Sequence, residues 1–463
     1  MKISGNIEEN RALFDEIFGP ERNFDLKKRE TIFGGRKAIF YMIDGFLKED
    51  LLEKIMESFS KLKPEDMETE SQFEHGHIPY SSVDSSDDPD VLTTAVLSGK
   101  TVLIVDGFSK AFMMELRSYP QRENAEPDRD KVLRGSRDGF TETLTLNAAL
   151  IRRRIRDRGF SVEYQSVGTV SKTDIALCYL DNKVDRTMLN EVRKRIQGTE
   201  LEAMTMCQED MANIINGHMR WNPFPKYKFS ERPDVAAAQI MEGDLIILID
   251  NTPTAMIMPA TIFDIAEDAN DYYFPPLTGA YLRITRILTM IVTLLVTPLW
   301  VLALHYPEQV PNAFRFVLIV EEPNVPVVLQ LLMLEFIIDG LKLSSLNTPG
   351  MLSSTYSIIA GIIVSDFAVE SGWFCAETLL YMAFVAMANY SQPGYELGYA
   401  IKFMRMLMIV LIEFFGVVGF WVGFGITITL ILTTKIPGKK GYFWPVFPFS
   451  WKGMGRLLFR LKE

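Results

Sequence analysis

Four stretches near the C-terminus carry no charged side chain, and they limit what this chain can fold into: Ile287–Leu304 (18 residues), Leu343–Ser365 (23), Thr378–Tyr395 (18) and Phe414–Thr434 (21). A helix needs about 20 apolar residues to cross the hydrocarbon of a bilayer, where each backbone polar group must find its partner inside the segment. Residues 280–434 are therefore expected to form a polytopic helical membrane domain. A further apolar run, Phe316–Ile338, is broken by Glu321, Glu322, Pro323 and Pro326 and reads as a kinked span or a re-entrant hairpin, which gives four to five spans. The charge of −11 is divided to match: residues 1–279 hold 35 Lys and Arg against 48 Asp and Glu, and the remainder 13 against 11. An acidic soluble region, large enough for cores of its own, precedes a slightly basic one in lipid. Its acidity argues against a nucleic-acid partner.

The soluble region reads as mixed α and β in two parts. Residues 1–35 are polar and form a helical or flexible lead. In 36–130, Lys37–Ile43, Val102–Val105 and Ala111–Leu116 read as strands, Asp50–Phe59 as a helix and Lys63–Pro89 as a polar loop. Pro120–Asp130 is a breaker. In 131–279, Phe140–Arg156 and Asp185–Ile196 have helical spacing, and Val162–Val170 and Asp174–Leu180 read as strands. Asp244–Ile249 and Ala255–Met258, separated by Asn251-Thr-Pro-Thr254, read as a hairpin. The expected class is thus α+β: a two-part α/β cytosolic domain, a helical membrane domain, and a basic, aromatic tail at 435–463. The first twenty residues hold Glu8, Glu9, Arg11, Asp15 and Glu16 and no run of signal-peptide length, so the soluble part is expected to stay cytosolic. Cys178, Cys207 and Cys375 are an odd, scattered set without a CxxC or Cys/His cluster, and suggest neither disulfides nor zinc.

Arg283 and Arg286 precede the first span, and Lys435, Lys439, Lys440, Lys452 and Arg456 follow the last, so both ends favour the cytoplasmic side. Four crossings plus a re-entrant segment satisfy this and leave Lys402 and Arg405 outside; five reverse the sides of those two and of the tail. With Tyr442, Phe443, Trp444, Phe447 and Trp451 among Lys and Arg, the tail reads as a segment lying in the headgroup zone.

Carboxylates at membrane depth are the candidates for chemistry: Glu335, Asp339, Asp366, Glu370, Glu377 and Glu413. Each costs about 2.5 kcal/mol or more at the bilayer centre unless it faces a bundle interior or water. On one continuous helix, Asp366, Glu370 and Glu377 would fall within about 40° of one face at ~100° per residue, a stripe that a ring of subunits would repeat around a cation path. Equally, they lie in a solvated connection between two spans. Glu335 and Asp339, spaced i, i+4, equally suit ion pairs with Lys342 or Arg405, and Glu413 suits a snorkelling position. Gly416, Gly419 and Gly423 supply small residues for helix packing. The cluster Arg152, Arg153 and Arg154 reads as a solvated helix end or an intersubunit or interdomain ion-pair surface. His75 and His77 lack further ligands, and no GxxxxGK[ST], HExxH or GxSxG occurs, so no metal, no cofactor and no enzyme activity is expected.

Glu115-Leu-Arg-Ser-Tyr-Pro120, Val132-Leu-Arg-Gly-Ser-Arg-Asp-Gly-Phe-Thr-Glu142, Asn147 and Leu150-Ile-Arg-Arg-Arg-Ile155 resemble the A-subunit family of bacterial spore germination receptors, the GerA family. The resemblance covers most of residues 100–450. Ser171-Lys-Thr-Asp174, Asn347-Thr-Pro349, Ser365-Asp-Phe-Ala-Val-Glu370, Glu377–Tyr381 and Gln392-Pro-Gly-Tyr-Glu-Leu397 are similar to its SpoVAF-type branch, with Lys342 in place of an arginine and Asn347 in place of a histidine. It implies a multi-pass protein of the inner spore membrane with its soluble domain on the core side. It further implies a homo-oligomeric ring, expected to be a pentamer, that conducts ions during germination beside a small membrane partner protein or other germination subunits. A nutrient-sensing A subunit working with B and C subunits is the main alternative. A secondary transporter ranks lower, and a membrane-anchored enzyme last.

Overall fold

The computed structural model describes residues 2–19, 22–80, 83–119, 132–216, 221–319, 323–347, 368–436, 438 and 441–459. The chain divides into two compact units, Met1–Met219 with Tyr227–Pro259 and Pro437–Lys439, and Arg220–Lys226 with Ala260–Ile436 and Lys440–Glu463. Residues 260–279 thus group with the helical unit.

The first unit is one module built twice. In the first copy, α1 (Ile7–Phe18) leads to β1 (Leu26–Phe33) and β2 (Arg36–Ile43), then α2 (Glu49–Ser60), α3 (Glu70–Gly76), β3 (Val83–Ser86), α4 (Pro89–Leu97), β4 (Thr101–Val105) and β5 (Ala111–Met114). In the second, α5 (Leu144–Arg152) leads to β6 (Phe160–Val167) and β7 (Thr173–Leu180), then α6 (Arg186–Gln197), α7 (Gln208–Asn216), β8 (Lys228–Ser230), α8 (Pro233–Glu242), β9 (Leu245–Ile249) and β10 (Ala255–Met258). The antiparallel sheets have strand orders β1-β2-β4-β5-β3 and β6-β7-β9-β10-β8, the same topology. α1 and α4 cover one face of the first sheet and α2 and α3 the other; α5 and α8, and α6 and α7, do so for the second. With both faces buried, the inner strands are apolar at nearly every position, while side chains still alternate faces, Ile39, Tyr41 and Ile43 against Ala38, Phe40 and Met42.

The copies also share their hydrogen bonds. Asp106 Oδ1 accepts from the Ile7 backbone N–H at the start of α1 (3.1 Å), and Asp250 Oδ1 from the Leu144 N–H at the start of α5 (3.0 Å), each carboxylate satisfying an orphan donor at a helix N-terminus. Three residues into each helix, buried Asn10 and Asn147 clasp the preceding segment, accepting from the N–H of Ser4 and Thr141 (2.9 and 2.7 Å) and donating to their carbonyls (2.6 and 2.5 Å). Gly107 and Asn251, next to the two aspartates, have φ of 83° and 63°, which suits those residue types. Pro89-Asp-Val91 and Pro233-Asp-Val235, Gly99 and Gly243, Asp106 and Asp250, Ala111 and Ala255, and Met114 and Met258 recur at one spacing of 144 residues.

Two segments differ from the sequence reading. The helix expected of residues 1–35 is present as α1, but it and the edge strand β1 are built into the first copy instead of leading up to it; Lys27-Lys-Arg-Glu30 disguise β1 because an edge strand tolerates charge. The polar stretch 63–89 holds a 3-10 turn at Pro64–Met67, α3 and β3, and its contribution to the core is carried by few side chains, chiefly Met67 of the turn and Phe73 of α3. The breaker 120–130 lies outside the described residues, Ser118 and Tyr119 being the last before it.

A buried ion pair joins the copies. Arg152 is 1% exposed and binds Asp25 twice (2.8 and 3.0 Å), the Phe160 carbonyl (2.9 Å) and the Asn23 side chain (3.2 Å). Of its neighbours, Arg153 lies exposed over the Tyr119 ring at 4.6 Å, and Arg154 pairs with Asp138 at 2.7 Å. Arg152→Ala is expected to destabilise the full-length protein by about 3–5 kcal/mol, because it strands a buried carboxylate. Arg153→Ala is expected to cost under about 1 kcal/mol. Thermal unfolding and protease resistance check both. Burial raises the Asp138 pKa, but hydrogen bonds from Arg154 and Ser136 outweigh it and hold the group below its ordinary 3.8. Its pairing therefore stabilises the fold above that pH and is lost as pH falls through the depressed value. Asp138→Asn is expected to flatten that part of a stability–pH curve measured in acid.

Candidate functional site

Pro275 and Pro276 open the helical unit's first long helix with the fixed φ that suits a first turn. After two short helices, α9 (Ile262–Ile265) and α10 (Asn270–Tyr273), comes α11 (Pro276–His305), 30 residues long and apolar enough to cross a membrane. Its flanking arginines are not loose positive charges. Arg286 grips Asp271, which is fully buried, at 2.6 and 3.1 Å, and Arg283 pairs with Glu267.

The broken run Phe316–Ile338 resolves into a 3-10 turn at Asn312–Val317 and α12 (Val327–Asn347), which starts immediately after Pro326. Leu331 and Leu334 pack with Trp300 and Met408, and Lys342 stacks over Tyr390 and Tyr399 at 5.0 and 5.2 Å. The helix Ala376–Tyr390 covers most of the run Thr378–Tyr395. Most of Leu343–Ser365, and Asp366 with it, lies outside the described residues.

The last long helix, Tyr395–Thr433, spans 39 residues and is interrupted at Gly416, whose φ of 58° and ψ of −132° suit glycine alone. The chain reverses there. Gly419 is pressed against the Leu411 carbonyl, where any Cβ would overlap it, and a Cβ on Gly423 would lie 2.8 Å from Met408 Cγ and 3.2 Å from its Cα. In a straight helix these partners would be about 12 and 22 Å apart along the axis. Residues 395–415 and 417–433 are therefore the arms of an antiparallel helical hairpin, and the glycines allow the arms to touch. Leu397, Ala400, Ile401 and Ile431 share one cluster with Met290 of α11 at the open end. Met408, Ile412 and Phe420 share another with Trp300 and Val301 toward the tip. Beside the tip, His305 donates from Nδ1 to the Val301 carbonyl (3.0 Å), which leaves Nε2 facing Glu413 at 3.6 Å; Glu413 is exposed.

The helical unit is held together by a buried charge cluster. Glu335, 3% exposed on α12, accepts from Arg405 Nε (3.0 Å) and lies 3.3 Å from Lys402 Nζ; Arg405 and Lys402 are 1% and 4% exposed. Lys402 also pairs with Asp339 and donates to the Glu335 carbonyl (3.1 Å), and Arg405 NH1 donates to the Thr293 carbonyl of α11 (3.0 Å). Two carboxylates meet two cations, so the cluster is neutral as a set and ties three helices, its donors being largely used up by protein acceptors. Counting charge-free runs passes over residues 395–415, because Lys402 and Arg405 interrupt them. Their i, i+3 spacing opposite Glu335 and Asp339 at i, i+4 is the signal that marks the match.

Glu370 and Glu377 are placed differently. Glu370 is exposed in the turn Ala368–Glu370, and Glu377 is half-buried in the first turn of Ala376–Tyr390, where a carboxylate suits the helix N-terminus. Among the described residues, neither is in an ion pair. No group of three or more His, Cys, Asp or Glu side chains able to hold a metal occurs among the described residues. Cys178 is fully buried, and burial pushes its thiol pKa up, which keeps it unreactive.

Comparison with known proteins gives the family. The model of the Bacillus/Clostridium GerA spore germination protein matches residues 12–463. Stage V sporulation protein AF of Bacillus subtilis (strain 168) is 30% identical over 462 residues, 99% of this chain and 93% of that one. Spore germination protein KA of the same organism is 26% identical over 387 residues, covering 83% of this chain and 71% of that one. A crystal structure of the N-terminal domain of the A subunit of the Bacillus megaterium spore germinant receptor GerK3 aligns over 57% of this chain and 98% of its own, at 23% identity and a TM-score of 0.42. With the family model matching all but the first eleven residues, this chain belongs to the GerA family of spore germination proteins.

Proposed function

We propose that this member of a spore germination family is a SpoVAF-like subunit of an oligomeric cation channel that takes part in ion release during germination. It works as a homo-oligomer, with five copies the expected number, in the inner spore membrane with its acidic unit on the core side, beside a small membrane partner. The observation that carries this reading is the division among the carboxylates of the helical unit. Glu335 and Asp339 are spent on internal ion pairs, whereas Glu370 and Glu377 flank the start of an apolar helix with no ion pair among the described residues. Repeated around an axis, such carboxylates set a negative potential that draws cations in.

The test is flux from liposomes holding the purified full-length protein, with K⁺ and a large anion compared. Selective K⁺ flux, reduced several-fold in Glu370→Gln and Glu377→Gln with the oligomer intact, is the expected result. Flux unchanged in both variants removes these residues from the pathway, and tight vesicles containing inserted oligomer remove the channel. A second reading, a nutrient-receptor A subunit, is favoured by the likeness to spore germination protein KA. It predicts flux only when B- and C-type subunits are present.

A further inference from the structure

The tail that follows the hairpin has one side built into the protein and another left bare. Tyr442 is buried, and Phe443, Val446 and Leu457 pack into the cluster of Met290, Leu397 and Ile431. Trp444 closes over Gly453, leaving no room for a side chain there. From the second turn of α11, Arg283 NH1 donates to the carbonyls of Arg456 and Leu457 (3.3 and 3.1 Å), which fixes the helix Trp451–Phe459 near its C-terminus against the start of a membrane-crossing helix. On the bare side stand Phe447, Phe449, Trp451 and Phe459, each more than half exposed and Trp451 82% exposed, with Lys452 and Arg456 among them. Phe449 and Trp451 meet edge to face at 4.9 Å, and Leu277 and Tyr281 on the first turns of α11 are also exposed. Residues 414–462 contain seven Lys and Arg and no Asp or Glu.

We propose that this bare aromatic and basic side is a docking surface for anionic phospholipid headgroups of the membrane that α11 crosses. Aromatic side chains settle at the headgroup level and apolar ones reach the acyl boundary, while each Lys or Arg near an anionic surface adds about 1 kcal/mol. A second copy of the same face is the poorer occupant, because it would set Lys452 and Arg456 against themselves. The proposal rests on the membrane reading but not on conduction.

The experiment places a nitroxide at Phe447→Cys in full-length protein lacking its native cysteines, reconstituted in vesicles of phosphatidylcholine alone or of equimolar phosphatidylcholine and phosphatidylglycerol. Accessibility to oxygen and to a water-soluble nickel chelate is then read. In the anionic vesicles, the oxygen-to-nickel ratio is expected to rise several-fold over the neutral ones. Lys452→Gln with Arg456→Gln, checked for unchanged thermal stability and oligomer size, is expected to bring it back to the neutral value. A label open to nickel in both vesicles overturns the docking surface. Equal immersion in both vesicles, unaffected by the double variant, overturns its preference for anions, and a label shielded from both reagents shows that protein covers the face.

Discussion

Glu335→Leu is expected to be among the most damaging single changes in the helical unit, lowering stability by about 3–5 kcal/mol. The loss comes from what remains. Arg405 is 1% exposed, and without Glu335 the partner left to it among the described residues is the Thr293 carbonyl, while Lys402 keeps Asp339. An unpaired cation at membrane depth costs about 2.5–3.5 kcal/mol even where it can adjust. Removing both charges, as in Glu335→Leu with Arg405→Met, is expected to recover most of the loss, because a neutral apolar pair leaves nothing unsatisfied. Thermal unfolding of the full-length protein in detergent checks the order: wild type and double variant close together, the single variant well below. Equal stability of the single variant and wild type would mean that the pair does not form.

Gly419→Leu is the second large effect. A Cβ at 419 overlaps the Leu411 carbonyl, which is backbone and cannot rotate away, so the arms of the hairpin must part. Gly425→Leu is the matched control, since a Cβ there meets nothing within 4 Å. Loss of the packed hairpin is expected for the first and near-wild-type stability for the second. Topology offers an independent check. Single cysteines replacing Tyr395 and Thr433, in protein lacking native cysteines, are expected to react with an impermeant thiol reagent from the same face of a sealed vesicle. A straight helix of 39 residues would place them about 58 Å apart, on opposite faces. Labelling from opposite faces sinks the hairpin.

The strand at Lys37–Ile43, the helix Asp185–Ile196 and the hairpin across Asn251–Thr254 are legible because a period of 2 or 3.6 and a turn signal are local properties, written within about a dozen residues. The doubling of the soluble module is also present in the letters, in the constant spacing of Pro89-Asp-Val91, Gly99 and Asp106 from their counterparts. Seven matches in 26 positions are thin, however, until the paired bonds of Asp106 and Asp250, and of Asn10 and Asn147, show what those residues do. Strand β1 was hidden because edge strands are charged where inner ones are apolar.

The residue string alone separates a mixed α and β region from one with helices apolar enough to cross a membrane, because hydrophobic burial depends on runs of composition that need no partner to be counted. It also settles the family, since long ordered motifs survive in it. Tertiary contact was needed for everything that rests on pairing. The spacing of Glu335 and Asp339 leaves Lys342 and Arg405 as equal partners; the fold selects Arg405 for Glu335 and adds Lys402, which read only as a break in an apolar segment, from more than sixty residues away in the chain. Gly416 looks like one more small residue of the run Phe414–Thr434 until its positive φ and the contact of Gly419 with Leu411 place it at the reversal between two arms. The free energy of a charge or of a glycine is set by what stands opposite it, and that neighbour comes from a distant part of the chain.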